Sequence, residues 1–154
     1  MTGVQTCALP ILLPDGADWE SSTGYHKFVT EMMFITLLAA ERNGIEVADA
    51  DRKRAHKMLE YLRDVIRPDG GMPLTGDCDG SQFLPIVRRD ADDAGYLLDL
   101  AAAACGESEF KLNKACSPEV LWLFGPDGVE RFNALDTYVP VSITYPNEIG
   151  RAHV

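Results

Sequence analysis

No stretch of this sequence is long and apolar enough to cross a bilayer. A spanning helix needs about 20 apolar residues, and the longest candidate, Met32 to Ala40, falls far short. Basic residues are scarce: 14 Lys+Arg stand against 24 Asp+Glu in 154 residues, a net charge of −10. That balance argues against nucleic acid, whose footprint requires a basic stripe. Cysteine is sparse and irregularly spaced. Cys78, Cys105 and Cys116 form neither a disulfide framework nor a CxxC metal pair, and read as small buried hydrophobes. No internal repeat of fixed period is visible, which weighs against a helical-repeat interaction module. What is present is a hydrophobic content of 46%, enough for a folded chain, over a length that suits one domain-sized core.

The two ends do not read as protein. Residues 148–154, "EIGRAHV", back-translate to GAG ATC GGA AGA GCA CAC GTC, which contains the start of a common short-read sequencing adapter; Thr2 to Ile11 of "MTGVQTCALPI" fit the reverse complement of the same adapter family. Residues 1–11 and 148–154 are therefore expected to be adapter-derived and are set aside from fold reasoning. Residues 12–147 are then expected to be an internal piece of a longer chain. Removing Arg151 and Glu148 leaves the net charge at −10.

Hydrophobic periodicity organises the remainder into helices. Tyr25, Phe28, Val29, Met32, Ile35, Thr36 and Ala39 recur at helical spacing, and Met33, Phe34, Leu37 and Leu38 fill other faces. This predicts a first helix over 23–43, buried on most sides, capped by Ser21 or Ser22 and stopped at Asn43-Gly44. Ala55, Met58, Leu59, Leu62, Val65 and Ile66 form one stripe of a second helix over 51–67, opposite a charged face from Arg52 to Asp64. The short connection makes the two antiparallel neighbours. Met72 to Arg89 is a long connection, and such loops are usually functional or structured in their own right. A third helix is predicted over 91–105, a shorter one near 107–112, and another in "PEVLWLFG", where Ser117 caps, Pro118 takes the first helical position and Gly125 ends the run. One or two further turns follow to Leu135. From Thr137 to Tyr145, Val139, Val141, Ile143 and Tyr145 alternate, which reads as a strand and marks a domain boundary near residue 136.

Polar chemistry concentrates in "DGADWESSTGYH", Asp15 to His26, just before the first helix. A Tyr has an ordinary pKa near 10 and serves as a general acid when its phenol is aimed at a leaving group. Adjacent helical residues do not face each other, so Tyr25 and His26 cannot both point into one small site; a half-buried Tyr with a hydrogen-bonded His is the plainer reading. Trp19, in the loop, is placed to stack on a sugar ring, whereas Trp122 is an ordinary packing candidate. In "GDCDG", Asp77 and Asp79 resemble the start of a calcium loop, but the following ligands and the closing Glu are missing. A turn held by side-chain-to-backbone bonds and a cleft-lining role both remain open. Arg88-Arg89 beside Asp90, Asp92 and Asp93 reads as a charge cluster, or as a holder of an acidic ligand.

With those residues in hand, the run from Asp15 to Ile45 resembles the helical domain of the heparinase II/III-like polysaccharide lyases, whose D-G-x-x-x-E-x-S-x-x-Y-H segment is matched by Asp15, Gly16, Glu20, Ser22, Tyr25 and His26. "RPDGGMPLTGDCDGSQF" is similar to the family's P-D-G-x-x-P-x-x-G-D-x-D-G segment, and "PEVLWLFG" and "ITYPN" resemble the stretch leading into its second domain.

The resemblance implies a mainly α chain: residues 12–136 as the C-terminal part of an incomplete (α/α) toroid, and 137–147 as the start of a β-sandwich domain. It implies a parent that cleaves uronate-containing acidic polysaccharide by β-elimination, without a cofactor or metal, in the periplasm or outside the cell. Tyr25 takes the position of the general acid, which in the family is sometimes the base as well. Glu20, Asp77 and Asp79 match positions near the cleft, and His26 matches a motif position to which no catalytic role is carried over; these four, with Trp19, are given substrate-binding or site-shaping roles. The Asn or His that neutralises the carboxylate, and a further His, would come from the remainder of the same chain, so this piece alone is expected to be inactive. Two rivals stay beside this reading. An (α/α) toroid glycoside hydrolase needs two carboxylates across the bond, and Asp77 and Asp79 are too close in sequence to be a natural pair. A non-catalytic helical interaction module is the other.

Overall fold

The computed structural model describes residues 13, 16–17 and 22–141. It is mainly helical, with no strand among the described residues: α1 (Thr23–Arg42), α2 (Asp49–Val65), α3 (Gly95–Cys105), a single 3₁₀ turn (Ser108–Phe110) and α4 (Pro118–Ala134). None of these helices is long and apolar enough to cross a membrane.

Ser22 starts α1, its hydroxyl accepting the N–H of Tyr25 at 3.1 Å. This satisfies one of the donors that a helix N-terminus leaves unpaired. At the other end Gly44 has φ +70°. Gly44 N donates to Glu41 O and Ile45 N to Ala40 O, the paired bonds of a Schellman stop. The chain then returns as α2, antiparallel to α1: His26 faces Met58, while Glu41, near the far end of α1, pairs with Arg52 at the start of α2.

The centre of the molecule is α3, not α1. Every residue from Tyr96 to Ala103 is buried. Around it close Leu59 and Leu62 from α2, Ile66 just past its end, Phe110 from the 3₁₀ turn, and Val120 and Phe132 from α4. The expectation that the first helix is buried on most sides is not met. Its fully buried residues are Thr23, His26, Lys27, Thr30, Glu31 and Phe34, one stripe at helical spacing and almost wholly polar. Phe28, Val29, Met32, Met33 and Ile35 are only half-buried, and Thr36 and Ala39 are exposed.

Other boundaries shift for identifiable reasons. α3 begins at Gly95 rather than Ala91 because the preceding carbonyls are taken by tertiary partners: Ala91 O and Asp93 O by Lys27, and Asp92 O by Met72 N. Gly106, at φ +74°, closes α3 as a left-handed cap. α4 breaks at Gly125 (φ +67°, ψ −167°) and resumes through Pro126 to Ala134. Arg63, expected on the solvated face of α2, is buried, and Asp64 beside it is half-buried. Arg63 pairs with Asp64 (2.7 Å) and Glu109 (2.8 Å) and lies over the rings of Tyr138 and Phe110. Residues 137–141 are not a strand; Tyr138 N bonds Lys111 O at 2.7 Å instead. The rest of the predicted strand lies outside the described residues.

Candidate functional site

The residues from 72 to 94 have no regular structure, yet buried or half-buried backbone groups must find partners somewhere. The polar stripe of α1 supplies them. Ser22 Oγ donates to Asp77 O at 2.7 Å. Thr23 Oγ1 donates to Pro73 O at 2.6 Å and accepts Thr75 N at 3.0 Å, while Thr23 N donates to Thr75 O. One and two turns on, Lys27 Nζ donates to Ala91 O at 3.0 Å, and Glu31 accepts the N–H groups of Phe83 (2.7 Å) and Leu84 (3.2 Å). Burial lowers the pKa of Lys27, against the attraction of Asp93 and Glu31. A Cβ on Gly24 would come within 2.9 Å of Cys78, so helix and loop are in direct backbone contact.

This brings two of the predicted groups to one place. Tyr25 sits in the same first turn of α1 that is bonded to the loop bearing Asp77 and Asp79. It is half-buried, and its phenol takes no hydrogen bond among the described residues. Asp77 and Asp79 are exposed. Asp79 accepts Ser81 N at 2.9 Å, and this bond holds its carboxyl below the ordinary range. That is the side-chain-to-backbone turn of the plainer reading. Trp19 and Glu20 lie outside the described residues.

His26 faces the other way. It is buried against α2, its Nε2 lying 3.0 Å from Met58 O and 3.2 Å from Thr30 Oγ1, with the Tyr61 ring edge-on at 4.6 Å. A carbonyl only accepts, so Nε2 carries the proton. Nδ1 is left buried without a partner among the described residues. Charging the ring would bury an N–H with no acceptor, and burial pulls its pKa down to about 4. The geometry makes His26 an α1–α2 packing residue rather than a group that faces a sugar.

Arg89 is likewise engaged internally. Its guanidinium takes both oxygens of the buried Glu119 (3.0 and 2.6 Å) and Asp93 (3.0 Å), and lies 5.3 Å over the ring of Tyr96. An acidic ligand at Arg89 would have to displace a bidentate carboxylate. Arg88 is exposed, and so is Trp122, at 75%, despite its reading as a packing residue. For a metal, the donor atoms of His56, Glu60 and Glu109 fall within 4.8 Å of one another. These groups are already engaged within the protein: His56 Nε2 lies 2.8 Å from Glu107, and Arg63 pairs with Glu109 at 2.8 Å.

A cavity among the described residues lies elsewhere. About 470 Å³ opens between the C-terminal half of α1, α2 and the α3–α4 pair, roughly 20 Å along α1 from Tyr25 at 1.5 Å per residue. Lys27, Glu31 and this cavity were not singled out by sequence reasoning. The signal for the first two was the recurrence of polar residues every three or four positions in an otherwise apolar helix. Comparison with protein-family models, with curated proteins and with solved structures finds no significant match for this chain.

Proposed function

We propose that this chain carries the general-acid side of a polysaccharide lyase site, and that its parent cleaves uronate-containing acidic polysaccharide by β-elimination. The observation that carries the reading is the placement of Tyr25: a half-buried phenol, without a partner among the described residues, in a helix turn bonded to the Asp77–Asp79 loop. In β-elimination a base removes the proton beside the uronate carboxyl group and an acid protonates the departing glycosidic oxygen. Negative charge builds on the carboxylate as the proton leaves, so a neutralising group must stand beside it. A phenol can give its proton to the leaving oxygen without any charge needing to be buried beforehand. In this reading Asp77 and Asp79 take substrate-binding or site-shaping roles beside it. The sequence resemblance adds an (α/α) toroid, a following β-sandwich domain bearing the partner groups, and a periplasmic or extracellular setting.

Tyr25→Phe in the full-length parent tests this. Elimination creates an unsaturated uronate that absorbs in the ultraviolet. The variant should lose that signal on alginate and glycosaminoglycan substrates by at least about 100-fold, the lower end of general acid–base contributions, while polymer binding changes little. Undiminished turnover would remove Tyr25 from the mechanism, and a parent with no elimination activity on any uronate polymer would sink the lyase reading itself.

A further inference from the structure

We propose that the 470 Å³ cavity at the far end of α1 is a binding site for a carboxylate that carries an apolar body. Its volume lies within the range of small-molecule pockets. Its walls are apolar side chains, among them Phe34, Leu38, Leu59 and Phe124. Such a surface gains free energy by taking apolar area out of water.

Charge selects the head group. In a chain of net charge −10, this cavity is lined by three arginines and a single carboxylate, Glu41. Glu41 is already paired with Arg52 at 2.7 Å. That leaves Arg42 and Arg131. Both guanidiniums converge on one ring, 4.9 and 5.9 Å from the centroid of Phe124. Neither has a carboxylate within ion-pair distance among the described residues. Arg131 Nε donates to Ala103 O at 3.0 Å, a bond that orients the fork without neutralising it. Two like charges beside one aromatic ring repel each other, and a carboxylate that reaches both accepts charge-assisted hydrogen bonds from them. A free inorganic anion would leave the apolar walls wet, and a neutral hydrocarbon would leave the arginines unanswered.

The reading is independent of the lyase proposal, since it involves neither Tyr25 nor the Asp77–Asp79 loop. It is tested by calorimetric titration of the full chain with 4-phenylbutyrate and with 4-phenylbutanol, which share a body and differ in head group. The acid should bind one to one, and the alcohol about tenfold or more weaker. Arg42→Gln and Arg131→Gln should each weaken the acid about fivefold and leave the alcohol unchanged. Both side chains are exposed, so the urea midpoint serves to show that the variants remain folded. Cys105 lines the same cavity and should react more slowly with a thiol reagent when the acid is bound. Equal affinity for acid and alcohol, no saturation at millimolar acid, or indifference to both substitutions would overturn the proposal. So would protection of Cys105 that follows protein concentration without ligand, because a second copy would then be the occupant.

Discussion

At the scale of single residues, burial shifts His26 and Asp99 so that their contributions to the pH dependence of stability oppose each other. Burial depresses His26 from 6.5 to about 4. Its contribution to stability is complete above pH 6.5 and is lost as pH falls toward 4, where the unfolded chain takes up a proton that the folded chain refuses. Burial raises Asp99 from 3.8 to about 7, against the Ser117 N–H that it accepts at 2.8 Å. Its contribution is complete below pH 3.8 and is lost as pH rises toward 7. Each swing is on the order of 3 kcal/mol, so they largely cancel between pH 4 and 6.5. Asp99→Asn keeps an acceptor for Ser117 and should make the urea midpoint climb with pH across that window. His26→Gln should make it fall. Curves parallel to the parent in both variants would show that neither group titrates as described. From the sequence, His26 belonged to a motif and so to a site; its depth in the α1–α2 contact depends on Met58 and Tyr61, more than 30 positions away.

At the scale of elements, the contact between α1 and the 72–94 segment holds the candidate site together. Thr23→Val keeps the side chain's shape but removes the bonds of its hydroxyl to Pro73 and Thr75. It should cost about 0.5–1.5 kcal/mol, the usual net worth of a hydrogen bond, because Pro73 is half-buried and Thr75 exposed, so water can replace the lost partner. Amide exchange at Thr75 and Cys78 should quicken more than in α3. Unchanged exchange there would mean the loop is held by something other than the helix turn. Helix ends that depend on local chemistry were legible beforehand: the Ser22 cap, the Gly44 stop, the Gly106 cap and the Gly125 break. The start of α3 was not, because the carbonyls that would extend it backwards are claimed by Lys27 and Met72. Nor was the burial of Arg63, which is fixed by Glu109 and Tyr138 arriving from other elements.

For the whole molecule, the net charge of −10 acts against the compact state through self-repulsion. Exposed pairs such as Arg52–Glu41 return little. Raising the salt concentration from 10 to about 300 mM shortens the screening length from about 30 Å to below 10 Å, and should raise the melting temperature by a few degrees. A melting temperature that falls would mean that partly shielded pairs such as Arg89–Glu119 outweigh the repulsion. The sequence by itself determined a mainly helical chain, the antiparallel α1–α2 pair, most helix stops, and the membership of Tyr25 in the first turn of a helix. These follow from periodicity and capping, which act over a few residues. Only the tertiary structure decided that α3 and not α1 is the centre, that α1 turns a polar stripe inward to satisfy an irregular loop, that His26 and Arg89 are committed to internal partners, and that Arg42 and Arg131 both lie against the Phe124 ring. Each of these depends on groups far apart in the chain that must share hydrogen bonds, charge or apolar area, and local pattern carries no record of which of them will meet.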